Sequence, residues 1–165
     1  GEQVTEIRRI KARVETERLP RQIRLAGSAL GQRAQGADYQ THTKLGRGGL
    51  SDVEWTVQLL QLRYCHAVPG LRTTRTLDAL AAARAAGLVA AADAAALAAG
   101  WTLAAQVRNA LTLVRGRASD QLPRQGTELA GVARLLGEPD HGRFLDEYLR
   151  TTRRSRAAME RGFND

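Results

Sequence analysis

Apolar positions in this chain recur at helical spacing and almost nowhere alternate as strands require. Val4, Ile7, Ile10 and Val14 fall three and four residues apart, on one helical face. Arg8, Arg9, Lys11, Arg13 and Arg18 lie largely on the others, so a helix is predicted over 1–18, ending before Pro20. From 19 to 43 the periodicity fades, and Gly27, Gly31 and Gly36 mark a linker or mobile loop. The glycines Gly46, Gly48 and Gly49 then lead into the strongest helix start. Ser51 and Glu54 have the spacing of a capping box, in which each side chain accepts from the other residue's backbone N–H. Asp52 adds negative charge to the first turn, where the helix dipole favours it. Val53, Val57, Leu60 and Tyr64 form the inner stripe, widened by Leu59 and Leu62, until Pro69 and Gly70 end the run.

Four further helices complete the bundle read from 44–165. Thr76 is placed as the cap of the next one, with Leu77, Leu80 and Ala81 inward and Gly87-Leu88 as its C-terminal cap. A long helix is predicted over 92–115, with Leu97, Trp101, Ala104, Val107, Leu111 and Val114 inside and Gly116 as terminator. Gly100 within it costs about 1 kcal/mol relative to Ala unless another helix packs closely there. Thr127 opens a short helix closed by Gly137 and Pro139. The last runs over 140–163, with Phe144, Tyr148, Thr152, Met159 and Phe163 on one side. The prediction is an all-α bundle of about six helices in a single domain.

Composition narrows the function classes. The chain has 165 residues, and aromatics make up only 4%, too few for a base-stacking platform. One cysteine, Cys65, excludes a disulfide framework or a multi-thiolate metal site. No apolar run approaches the roughly 18 residues of a membrane span, which points to a soluble, cytoplasmic protein. The formal charge is +8, carried by 23 Arg and 2 Lys. A basic surface favours polyanions non-specifically, but no helix-turn-helix spacing or aromatic interleaving argues for nucleic acid. An arginine- and alanine-heavy composition also follows from a GC-rich genome, so the charge alone assigns no partner.

Candidate chemistry is sparse. Gly27-Ser28 followed by Asp38 offers half of a nucleotidyltransferase pattern, but Asp38-Tyr39-Gln40 puts an amide where a second metal ligand is needed. Lys44-Leu45-Gly46-Arg47-Gly48-Gly49 carries glycines and cations that could cradle a phosphate, without the order of a P-loop; a tight structural turn is the simpler reading. His42, His66 and His141 lack metal-ligand spacing, and Cys65 and His66 diverge by about 100° on a helix. Arg108 shares the apolar stripe of the long helix, where it either pairs with a carboxylate or extends to solvent. Arg150, Arg153, Arg154, Arg156 and Arg161 make the last helix strongly basic, a solvated face or a surface for an acidic partner.

The run from Lys44 through Gly48-Gly49-Leu50-Ser51-Asp52-Val53-Glu54-Trp55 to Gln58 resembles a specific family. It is similar to the bacterial bifunctional glutamine synthetase adenylyltransferase/adenylyl-removing enzymes, in their actinobacterial form. The likeness continues through Pro69-Gly70-Leu71, Thr74-Arg75-Thr76-Leu77, Val107-Arg108-Asn109 and Ser119-Asp120-Gln121-Leu122-Pro123 to the arginine-rich last helix. In that family each nucleotidyltransferase core is followed by a helical domain. The resemblance implies the C-terminal helical domain, catalytically silent alone, in a parent that uses ATP and Mg2+. It implies as partners glutamine synthetase, a PII-type signalling protein and the enzyme's own catalytic core. It implies that Lys44 and Arg47 face nucleotide phosphates, and that Gly46, Gly48, Gly49, Ser51, Asp52, Glu54 and Gln58 build the turn. Arg108, Arg150, Arg153 and Arg154 are candidate partner contacts; no catalytic residue, metal ligand or bound cofactor is assigned to this chain. Thr43 departs from the pattern, which places an apolar residue there, and 19–43 matches poorly. PII uridylyltransferases carry a similar helical segment and are the nearest alternative; a basic nucleic-acid-binding module and a self-contained enzyme are the readings from other classes.

Overall fold

A computed structural model describes residues 39–164, together with positions 5, 6, 9, 10 and 13. Those five positions are helical and exposed, and Ile10, on the apolar face of the pattern, is 42% exposed. The rest of 1–18, most of the linker reading over 19–43, and the Gly27, Ser28 and Asp38 pattern lie outside the described residues.

Five helices make up the described bundle: α1 (Leu50–Tyr64), α2 (Thr76–Ala85), α3 (Ala91–Arg115), α4 (Thr127–Leu135) and α5 (His141–Asn164). A single 3-10 turn, Pro69–Leu71, joins α1 to α2. The all-α class stands, with five helices here against the six expected of the whole chain.

The two long helices, α3 and α5, run antiparallel and share the most extensive contact. Two cores lie along them. One gathers Val53, Val57, Leu60, Leu71, Leu80 and Leu97 with Met159, so it joins α1 and α2 to the start of α3 and the end of α5. The other gathers Val107, Leu111, Leu122, Leu129, Val132, Phe144 and Tyr148 around the other halves of α3 and α5. Each leucine fully buried in this way contributes about 2 kcal/mol.

The long helices approach most closely where neither has a bulky side chain. A Cβ placed on Gly100 would lie 2.5 Å from the Cβ of Ser155 and 3.2 Å from the carbonyl oxygen of Gly48. Gly100 therefore has the packing reason that its position in a helix demands.

Helix ends follow the glycine signals well and the hydroxyl signals poorly. Gly87, Gly116 and Gly137 all adopt positive φ after the last helical turn. At Gly87 the Leu88 N–H reaches the Ala83 carbonyl and the Gly87 N–H reaches that of Arg84, the double bond of a Schellman cap. Thr76 does not cap α2: Arg75 occupies the cap position and Thr76 is already helical. Within α2, Ala79, Leu80 and Ala83 are buried while Ala81 is exposed, and Leu62 on α1 is 65% exposed. Those two apolar residues lie a step beyond the arc that each helix buries.

Candidate functional site

Residues 44–49 form a turn held by a series of backbone hydrogen bonds. The Gly46 N–H donates to the His42 carbonyl, Gly49 to Gly46, Leu50 to Thr43 and Ser51 to Lys44. The first N–H groups of α1 are thus satisfied by the carbonyls of the loop that precedes it. Gly49 is the cap residue and makes no side-chain cap bond.

This geometry corrects the predicted capping box. The helix starts two residues earlier than Ser51 as a cap would allow, so Ser51 lies within the first turn. No hydrogen bond links the side chains of Ser51 and Glu54 to each other's backbone, and Glu54 instead lines a shallow polar groove with Gln58, Gln61 and Thr73. The reciprocal acid is Asp52. It occupies the third helical position and reaches back to accept the Gly48 N–H at 2.7 Å.

Asp52 is 5% exposed, and its carboxylate also accepts from Arg156 of α5 at 3.1 Å. Arg156 extends to Glu160 as well, through an Nε contact of 2.6 Å. The turn is therefore clasped to the last helix by a nearly buried ion pair. Gly48 makes the clasp possible in two ways. Its φ is +75°, open to glycine at little cost, and any Cβ there would fall on the Thr152 carbonyl oxygen of α5.

A second anchor fixes the approach to the turn. Residues 39–43, the end of the stretch predicted as linker, are packed against the loop between α3 and α4. The Thr43 N–H and hydroxyl both donate to the Asp120 carbonyl, at 2.7 and 3.0 Å. The Leu122 N–H donates to the Thr41 carbonyl, and His42 and Gln121 form an antiparallel bridge. Thr43 is fully buried, and these two bonds explain a hydroxyl where an apolar residue was expected. The carboxylate of Asp120 meets Arg108 of α3, whose Nε lies 2.6 Å away. Arg108 is therefore paired with a carboxylate while still partly exposed, one of the two outcomes that its place beside the apolar stripe left open.

His42 belongs to the same anchor. Its Nδ1 accepts the Leu45 N–H at 3.1 Å, which fixes the neutral ring with its proton on Nε2. Burial pushes its pKa below 6.5, with Asp120 acting in the opposite direction.

The remaining predicted site residues are dispersed. Lys44 is half-buried and Arg47 exposed beside the turn. Of the arginines on α5, Arg150 pairs with Glu147, Arg156 with Asp52, and Arg161 with Asp93 at 3.2 Å, while Arg153 and Arg154 are exposed. Sequence reasoning named Asp52 but missed Arg156 as its partner, because a contact across 104 residues leaves no local spacing. It also passed over Thr41 and read His42 only as lacking metal-ligand spacing, because their roles depend on a loop about 80 residues away. Among the described residues no group of three or more His, Cys, Asp or Glu side chains could hold a metal ion, and no helix is long and apolar enough to cross a membrane.

The comparisons with known proteins agree with this architecture. A family model described as GlnD PII-uridylyltransferase matches residues 8–163. A bifunctional glutamine synthetase adenylyltransferase/adenylyl-removing enzyme of Streptomyces avermitilis is 58% identical over 97% of the chain. Proteins with the same name from Nocardia farcinica and Mycobacterium bovis are 55% and 52% identical over 97% and 99% of it. The chain spans about 15% of the length of these relatives. A helical bundle matched from end to end by one model, and at more than half identity by a small part of much longer enzymes, belongs to the GlnD PII-uridylyltransferase domain family, on the branch populated by bifunctional glutamine synthetase adenylyltransferase/adenylyl-removing enzymes.

Proposed function

We propose that this bundle is the helical domain that follows the adenylylating core in an enzyme that adenylylates and deadenylylates glutamine synthetase. There it serves docking, regulation or packing and performs no chemistry itself. The names of the relatives support the parent activity. The occupation of the acidic groups around the turn is the observation that carries the non-catalytic role. Asp52 is held by the Gly48 N–H and Arg156, and Asp120 sits against Arg108. Carboxylates engaged as structural acceptors are poorly placed to ligate the magnesium ions that nucleotidyl transfer uses.

In this reading ATP and Mg2+ belong to the preceding core, and the partners are that core, glutamine synthetase and a PII-type protein. Lys44 and Arg47 project from a turn that two anchors hold rigid, which suits them to meet phosphate charge on the core. The test is Lys44→Ala and Arg47→Ala in the whole enzyme, assayed for adenylyl transfer and ATP affinity. The expected result is weaker ATP affinity, with the melting temperature unchanged; unaltered affinity and rate would remove the phosphate-facing role. Binding of the 165-residue chain to glutamine synthetase at about 150 mM salt, where exposed charges more than about 8 Å apart are screened, separates docking from packing on the core. Saturable binding marks a docking domain, and its absence moves the role to the core. Duplex DNA is the control, and DNA binding that survives salt would favour the nucleic-acid reading instead.

A further inference from the structure

The first core is not filled at its outer end. A cavity of about 210 Å3 lies between the C-terminal end of α1, the start of α3 and the end of α5. Its floor is aliphatic, formed by Leu59, Leu88, Val89 and Leu97 among others. Its polar lining is cationic on balance. Asp93 and Arg161 both contribute, but they neutralise each other in a two-point ion pair that keeps Asp93 ionised and holds its carboxyl below the usual range.

Arg63 is the charge left over. It is half-buried, lines the cavity, and has no ion-pair or hydrogen-bond partner among the described residues. Every other arginine near the two ends of α5 that is as little exposed has a carboxylate: Arg156 has Asp52, and Arg115 has Glu128. Tyr64 stands next to Arg63 on the same wall, also half-buried, with its phenol unbonded among the described residues.

We propose that this cavity is a binding site for a small monocarboxylate with an apolar body. The carboxylate meets Arg63, with the Tyr64 hydroxyl as a second donor, and the hydrocarbon fills the aliphatic floor. Small-molecule sites combine these parts, an apolar lining with a few convergent polar groups. A guanidinium suits a carboxylate because its donors match both oxygens at once. The volume limits the ligand to about ten heavy atoms, which sets the expected affinity in the millimolar range or somewhat tighter. One carboxylate is the limit too, since Arg161 already has Asp93. The site is distinct from the turn of residues 44–49, which lies at the opposite end of α1, about 20 Å away at 1.5 Å per residue. Its test therefore stands whether or not that turn meets a nucleotide.

The experiment is titration of the 165-residue chain with octanoate and with 3-phenylpropionate, followed by calorimetry and by backbone amide shifts in NMR. The amides of the same acids, and acetate, are the controls. The expected result is saturable binding of both acids, with shifts confined to the ends of α1 and α5 and the start of α3. The neutral amides should bind about tenfold more weakly, the loss of one charge-assisted contact, and acetate should not bind. Arg63→Gln should remove the preference for acid over amide, Arg63→Lys should keep part of it, and Arg153→Gln should change nothing. Melting curves of each variant, expected to match the parent chain, separate lost binding from lost folding. Equal affinity for acid and amide, shifts elsewhere on the bundle, an Arg63→Gln variant that folds and still prefers acids, or no binding of either acid up to about 10 mM, well above the expected range, would each overturn the assignment.

Discussion

Replacing Asp52 by alanine tests the central claim about the turn, that a nearly buried ion pair clasps it to the last helix. The substitution removes the acceptor of the Gly48 N–H and the partner of Arg156 together. Breaking one side of a buried pair costs about 3–5 kcal/mol, because the other charge stays behind without compensation. Here the compensation is partial: Arg156 keeps Glu160, a residue 53% exposed in its side chain. The expected loss therefore sits at the low end, about 3 kcal/mol. For a domain of this size each kcal/mol moves the melting temperature by about 2–4 °C, so the midpoint should fall by about 6–12 °C. Asp52→Asn keeps an acceptor for Gly48 and loses only the charge, so it should fall about half as far. A double-mutant cycle with Arg156→Met, read from urea melts at constant m-value, isolates the pair itself. A coupling energy near zero, or an Asp52→Ala midpoint within about 2 °C of the parent, would refute the clasp.

Three other outcomes follow from the packing around it. Gly100→Ala should lower stability by about 1–2 kcal/mol, because crowding against Ser155 at 2.5 Å outweighs the gain in helix propensity; Ser155→Gly should restore part of the loss in a cycle of melts, and a rise in midpoint for Gly100→Ala alone would show the helices are not in contact there. His42 titrates lower in the folded state than its ordinary 6.5, so the unfolded chain binds the extra proton first. Stability should fall as pH drops below about 6.5 towards the folded value, and pH-dependent melts of His42→Gln should be flatter across that window. Arg108→Gln should cost about 1 kcal/mol, as befits a partly exposed pair with Asp120, and should leave binding to any partner protein unchanged in a pull-down or titration.

The helices were legible because each carries its own periodicity, and α2, α3 and α4 also carry their own glycine stop. Gly87, Gly116 and Gly137 could be read singly, since a left-handed residue after a helix is a local requirement. Gly100 was legible as a question, and the answer needed Ser155, 55 positions later in a helix that local spacing cannot place. The start of α1 misled for the opposite reason. Ser51 and Glu54 satisfy the local rule, but carbonyls of residues 43 and 44 reach the first N–H groups before a side chain can. The same tertiary return brought Asp120 beneath Thr43 and Arg156 onto Asp52. The candidate site was thus visible as a run of residues, and its wiring was not.

The two anchors have a mechanical consequence. Backbone bonds to the Asp120 loop and the Asp52–Arg156 pair grip residues 39–49 from opposite sides. The peptide planes there cannot swivel without opening one of these grips, so this stretch is a poor place for a hinge. The turn with Lys44 and Arg47 therefore rides with the bundle as a rigid arm, and moves only as the bundle moves.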